Sequence, residues 1–196
     1  MRRFFDIMCS GLGLLVLSPL FLFITMWIKL DSKGPVFYRQ IRVGKNNRDF
    51  MLYKFRSMRI GSDKKGLITI GDRDHRITSS GYYIRKFKLD ELPQLINVFK
   101  GEMSLVGPRP EVRKYVNCYT EEQMKVLSVK PGITDYASIE YVDENTLLAT
   151  SNNPDKTYLE KILPDKIKLN MRYINNRSTT EYFKIIFLTL FRILKN

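Results

Sequence analysis

From Ile7 to Ile28 the chain carries no charged residue, and most of the positions are large and apolar. That run exceeds the roughly 20 residues a helix needs to cross a bilayer. Ser18-Pro19 interrupts it near the middle. Proline has no N–H and meets the carbonyl of Leu15, so it kinks a helix there; the Ser18 hydroxyl can serve backbone groups that the kink frees. Beyond Lys29 the apolar runs shorten. Val36 to Val43 and Phe50 to Phe55 predict two short strands joined by a turn at Gly44-Lys45-Asn46-Asn47. Residues 61–81 are rich in Gly, Ser, Asp and Arg and predict a loop. Helices are expected over Tyr82 to Phe87, Asp90 to Phe99 and Glu111 to Val129, the last ended by Lys130-Pro131-Gly132. Gly107-Pro108-Arg109-Pro110 is a rigid break between them. A polar turn falls at 151–155 and helical patterns resume from Asp155. From Tyr182 to Lys195 the cations Lys184, Arg192 and Lys195 share one helical sector and the rest is apolar. An interfacial helix has this pattern, and so does a helix packed on its own core. The pattern as a whole is α/β and mostly helical: a membrane-directed segment over 1–30, then one globular domain over 31–196 with short strands and amphipathic helices including about 181–195.

Charge narrows the partners. Lys and Arg exceed Asp and Glu to give +13, which predicts nucleic acid, a lipid surface or phosphorylated substrates. Cys9 and Cys118 lie far apart and His75 is the lone histidine, so neither a disulfide framework nor a zinc site is expected. Arg2 and Arg3 precede the apolar run; Lys29, Lys33, Arg39, Arg42, Lys45 and Arg48 follow it. A cleaved signal peptide would be shorter and would end in an A-x-A-like site. Positive flanks favour the cytoplasm, and a straight span must send one of them across. A re-entrant helix, broken at Ser18-Pro19, returns both to one side. On these residues alone the span and the hairpin fit equally.

The chemistry concentrates in Arg85-Lys86-Phe87-Lys88-Leu89-Asp90-Glu91-Leu92-Pro93. Pro93 is tolerated in the first turn of a helix, so Asp90 falls where an N-cap belongs. On spacing alone that structural role is the ordinary one. The other reading is chemical. A carboxylate kept ionised by cations can attack phosphorus, and Arg85 can take up charge on the phosphoryl oxygens. Glu91 could orient or deprotonate a second substrate. A divalent ion, Mg2+ as the usual choice, would screen a diphosphate from two carboxylates, with Asp90 as its ligand. Lys54-Phe55-Arg56-Ser57-Met58-Arg59 adds three cations, and Arg109 is held between two prolines, which suits bidentate phosphate recognition. Neither GxxxxGK[ST] nor GxGxxG occurs, so a nucleotide would bind by another device.

Taken in order, several segments resemble the bacterial sugar transferases, the monotopic phosphoglycosyl transferases. They are Arg3-Phe4-Phe5-Asp6, Ser18-Pro19, Gly34-Pro35-Val36-Phe37-Tyr38-Arg39-Gln40, Tyr53-Lys54-Phe55-Arg56-Ser57-Met58, Leu89 to Leu95, Asn97 to Pro110, and Lys130-Pro131-Gly132-Ile133-Thr134. The resemblance runs nearly end to end at about the family's minimal length. It implies a re-entrant helix at the cytoplasmic face of the bacterial inner membrane, which tips the balance toward the hairpin. It implies a two-step reaction needing Mg2+, in which Asp90 attacks the β-phosphate of a UDP-sugar and releases UMP. Undecaprenyl phosphate then takes the phosphosugar. It makes Glu91 the acidic partner of Asp90, and Lys54, Arg85 and Arg109 the phosphate contacts. Asp135 stands where that family commonly has Gly, and Asn170 where it often has Asp. His75 matches no catalytic role. The sequence leaves open the sugar, the glycan pathway and whether two copies form a homodimer. A nucleic-acid-binding protein predicts no such apolar run. A non-enzymatic adaptor bound to anionic membrane lipid explains the charge and both apolar ends but gives no reason for the acidic pair.

Overall fold

The structure, a computed structural model, describes residues 1–66, 69, 71 and 74–195. Two N-terminal helices, α1 (Arg2–Val16) and α2 (Ser18–Asp31), meet at an angle of 59°. Pro19 sits in the first turn of α2, and the Ser18 hydroxyl donates to the Leu15 carbonyl at 2.7 Å. The oxygen that proline displaces is thus served locally. No single described helix is long and apolar enough to cross a membrane, although this bent pair passes the same test together.

A hairpin follows. Strand β1 (Phe37–Val43) pairs antiparallel with β2 (Asp49–Phe55), Phe37 opposite Phe55. Asn46 and Asn47 turn it with φ of 56° and 60°, a region that asparagine tolerates. The 61–81 segment is less irregular than expected. A 3-10 turn spans Ser62–Lys65, and helix α3 (Ser79–Lys86) starts inside the segment because Thr78 caps it, accepting from Gly81 N at 3.0 Å.

The expected helix from Asp90 is also divided. A 3-10 turn covers Leu89–Glu91, and α4 (Gln94–Lys100) begins after Pro93. The turns between are closed by short bonds such as Leu92 N to Leu89 O and Leu95 N to Leu92 O, since Pro93 cannot donate. Strands β3 (Ser104–Val106) and β4 (Gly132–Thr134) form a parallel pair that the apolar pattern did not announce. The expected Glu111–Val129 helix is α5 (Arg113–Val116) and a separate 3-10 stretch, Gln123–Ser128. Thr120 and Gln123 bond reciprocally, side chain to backbone, and restart the chain there. Helices α6 (Tyr136–Glu140), α7 (Glu144–Ala149), α8 (Pro154–Thr157), α9 (Leu163–Asn175) and α10 (Thr179–Lys195) complete the fold, with a π turn over Tyr158–Ile162.

The N-terminal helices are fastened to this domain. Asp6 is buried and accepts from Ser104 Oγ, Leu105 N and Tyr182 Oη at 2.8–2.9 Å. Arg3 donates to the carbonyls of Val98 and Phe99 at the end of α4. Ile24 and Ile28 of α2 pack with Phe55 and Ile84. Arg56 closes the C-terminus of α2, donating to Ser32 O at 2.8 Å and to the Lys33 carbonyl. These bonds, to carbonyls just past the last turn of α2, tie that end of the helix to the domain. Helix α10 packs on the core through Tyr182 and Ile185, which are buried, while Phe183, Phe187, Leu190 and Phe191 are exposed. The Lys195 side chain lies outside the described residues.

Candidate active site

The structure brings Lys54, Asp90, Glu91 and Arg109 together. Lys54 is next to last in β2. The acidic pair lies in the 3-10 turn ahead of α4, and α4 is docked on β2 by Asn97. That fully buried amide donates to Met51 O and Glu102 Oε2 at 2.7 Å, and accepts from Tyr53 N at 3.1 Å. Asn97 therefore extends the edge of β2 as another strand would. The sequence offered only an asparagine inside an apolar helix, which is poor for helix propensity and so a signal of a special contact. Lys88, just before the turn, has φ 55°, a costly conformation for a side chain with a Cβ. It redirects the chain from the end of α3 into the acidic turn.

Arg109 is held by its backbone. Its N–H donates to Asp135 Oδ2 at 2.9 Å, and Arg42 donates to the Pro110 carbonyl at 2.9 Å. Gly107 N donates to Thr134 O and Gly132 N to Pro108 O, both at 3.0 Å. A Cβ on Gly132 would lie 2.1 Å from Gly107 N, so this close approach needs glycine. Asp135 is fully buried and also caps α6, accepting from Ser138 N at 2.6 Å. The carboxylate that replaces a common family glycine thus sits behind the arginine and fixes it.

Both cations converge on Glu91. Lys54 Nζ lies 2.8 Å from its Oε1; Arg109 reaches the same oxygen and, at 3.1 Å, Oε2. Burial alone would raise the Glu91 carboxyl, but Arg109 and Lys54 outweigh it and hold it well below the usual carboxylate range. Burial lowers Lys54, with Glu91 opposing, and the Glu91 charge raises Arg109.

Asp90 is treated differently. It is 6% exposed and forms no hydrogen bond or ion pair among the described residues. It caps no helix: Pro93 occupies the cap position of α4, and the 3-10 turn has no side-chain cap. The ordinary structural role is therefore absent. Burial pushes its carboxyl up, Lys54 pulls it down, and the adjacent Glu91 charge pushes it up again, leaving it above its ordinary value. Lys54 and Arg109 are both paired with Glu91, so the cations around Asp90 only partly offset its burial. Arg85, in the last turn of α3, acts on Asp90 only through its charge and makes no ion pair among the described residues.

Among the described residues no group of three or more His, Cys, Asp or Glu side chains is placed to hold a metal. Asp90, a carboxylate with no hydrogen bond or ion pair among the described residues, is the group that could hold Mg2+, an ion that keeps several waters and takes one or two carboxylates with substrate phosphates. His75 is exposed beside Asp74, 3.7 Å away. Cys9 and Cys118 are free and exposed.

Comparison with known proteins adds to this geometry. A family model described as bacterial sugar transferase matches residues 1–196. UDP-N-acetylgalactosamine-undecaprenyl-phosphate N-acetylgalactosaminephosphotransferase of Aeromonas hydrophila is 40% identical, over 98% of this chain and 43% of its own length. UDP-glucose:undecaprenyl-phosphate glucose-1-phosphate transferase of Escherichia coli (strain K12) is 36% identical, over 98% of this chain and 40% of its own length. The uncharacterized sugar transferase EpsL of Bacillus subtilis (strain 168) is 38% identical, over 99% of this chain and 87% of its own length. The chain thus spans less than half of the first two relatives and most of the third.

Proposed function

Since the chain belongs to the bacterial sugar transferase family, we propose that it moves a sugar-1-phosphate from a UDP-sugar to undecaprenyl phosphate through a covalent intermediate on Asp90. The relatives named for that class of reaction support the substrates. The observation that carries the chemistry is the unequal treatment of the acidic pair: Glu91 is bonded to two cations, and Asp90 is buried near the same cations with no hydrogen bond or ion pair among the described residues. A carboxylate with no hydrogen bond or ion pair among the described residues has an oxygen left to attack phosphorus.

In the first step an Asp90 oxygen bonds to the β-phosphorus, the bond from that phosphorus to the bridging oxygen breaks, and UMP leaves with the electron pair. In the second, a phosphate oxygen of undecaprenyl phosphate attacks the same phosphorus and the Asp90 carboxylate leaves. Lys54 and Arg109 stand where a diphosphate can draw them from Glu91, and Arg85 adds charge to the developing oxyanions. Cations so released favour the ionised Asp90 that attack requires. Mg2+, held by Asp90 and the diphosphate, would supply charge screening. Glu91 positions the two cations, and once the diphosphate draws them away it is the acidic partner left beside Asp90.

The exposed apolar residues of α1, α2 and α10 support a hairpin embedded in one leaflet, with the basic domain on the cytoplasmic face of the bacterial inner membrane. The test of the reaction is UMP release from detergent-solubilised protein given Mg2+, undecaprenyl phosphate and a panel of UDP-sugars. Release with at least one sugar, lost in Asp90→Asn together with covalent labelling, is expected. Turnover that persists in Asp90→Asn would remove Asp90 as the nucleophile.

A further inference from the structure

Beside the acidic pair lies a narrow recess open to solvent, formed where the Pro108–Glu111 loop meets the end of β1, the 3-10 stretch Gln123–Ser128 and α9. Its walls are apolar, with Val43, Val126, Val129 and Ile167 among them, and Arg109 lines it too. Arg109 thus belongs to both places, since its guanidinium also reaches Glu91.

The charged groups in this recess are paired, while among the described residues the Tyr119 hydroxyl and the Asn170 amide make no hydrogen bond. Lys166 is 2.8 Å from Glu144 and 4.0 Å from Glu111, and Glu111 accepts from Tyr158 Oη at 2.6 Å. With its charges neutralised from within, the recess is a poor anion site. Asn170 is the more deeply buried of the two, 5% exposed, and its Oδ1 is buried without a partner among the described residues. Neither end of the amide has a hydrogen bond among the described residues, so the point holds whichever way the amide is turned. A buried amide left open is costly unless something pairs with it.

We propose that this recess takes the uracil of the nucleotide-sugar, with the Asn170 amide pairing with the N3–H and carbonyl edge of the base. The assignment rests on the transfer reaction proposed above. A flat base suits a recess with several apolar walls and few open polar groups, whereas a pyranose with hydroxyls all round needs more polar partners than the Asn170 amide and the Tyr119 hydroxyl. The shared Arg109 joins the base recess to the phosphate cluster, in the order that a nucleoside diphosphate presents them.

The test uses the purified protein and Asn170→Leu, a nearly isosteric change that removes the amide. Expected are a tenfold or greater loss in UMP affinity by calorimetry and a matching rise in KM for the UDP-sugar. Inhibition by inorganic pyrophosphate should be unchanged, and the melting temperature should be equal or higher, because an unpartnered buried group has gone. Unchanged UMP affinity would make the recess a hydrated void and overturn the base site while leaving the transfer reaction intact. An equal loss of pyrophosphate inhibition would overturn it as well, by showing that the phosphate cluster had moved. Wild-type protein that neither binds nor releases UMP would sink the transfer reaction and the base site together.

Discussion

Asp90 and Glu91 are chemically near-identical neighbours that the fold drives in opposite directions. Glu91 faces two cations and is held well below its ordinary value, so the stability it contributes is present above the usual carboxylate range and is lost as pH falls through the lowered value. Asp90 is raised, chiefly by burial, so the fold favours its neutral form. That contribution is present in acid and lost as pH rises through the raised value. The two isosteric amides should therefore part company. At neutral pH Asp90→Asn should melt at a higher temperature than the wild type, the gain vanishing in acid. Glu91→Gln should lose about 3 kcal/mol at neutral pH, because it leaves Lys54 and Arg109 facing each other without an anion; this loss should shrink as pH falls. Thermal melts across pH measure both. A destabilised Asp90→Asn at neutral pH would mean that Asp90 holds a stabilising ion pair.

At the scale of elements, the site is assembled by docking contacts. Helix α4 carries no site residue, but it fixes the turn that does, through the Asn97 amide on the backbone of β2. Asn97→Ala would leave Tyr53 N and Met51 O, both part-buried, without these partners, and each unsatisfied group costs about 1–3 kcal/mol where water does not replace the bond. The expected result is a stability loss of about 3 kcal/mol with reduced UMP release, read by chemical denaturation and by turnover. Lys100→Ala, on the exposed end of the same helix, should change neither by more than about 0.5 kcal/mol. Equal effects in the two variants would deny Asn97 its special place. The parallel β3–β4 pair does for Arg109 what Asn97 does for the acidic turn: two backbone bonds and a glycine-only approach leave the loop no other path.

Across the whole molecule, apolar exposure is concentrated on a few helices. Leu12, Leu15 and Val16 of α1, Leu22, Phe23 and Met26 of α2, and Phe187 and Phe191 of α10 are each at least 60% exposed. Phe5 and Phe183 touch edge to face, centroids 5.1 Å apart, so α1 and α10 adjoin. Asp6 is tied to β3 and α10, and Arg56 ties the far end of α2 to the same domain. Both arms of the bent pair are thus anchored to one body, as a hairpin requires and a straight span does not. With Cys9 and Cys118 replaced by serine, single cysteines at Met1 and Lys33 should both react with an impermeant reagent only from the cytoplasmic side. Labelling from opposite sides would establish a span.

Much was legible in the sequence because it depends on neighbours along the chain. The apolar run, its break at Ser18-Pro19, the β1–β2 hairpin and the cluster of Asp90, Glu91 and nearby cations are local patterns, and local sterics and periodicity fix them. The Ser18–Leu15 bond is such a case, being three residues long. Other facts depend on contacts between distant residues. That Lys54 and Arg109 meet on Glu91, that Asp135 fixes Arg109, and that Asp90 caps nothing are set by which side chains share a buried volume. Periodicity also overran the ends of the helices at Asp90 and Glu111, where Pro93 and the Thr120–Gln123 pair decide the breaks. The sequence by itself determined the chemistry available, since residue type fixes charge and reactivity. The tertiary structure decided which carboxylate is free to use it, because burial and ion pairing are properties of the folded neighbourhood.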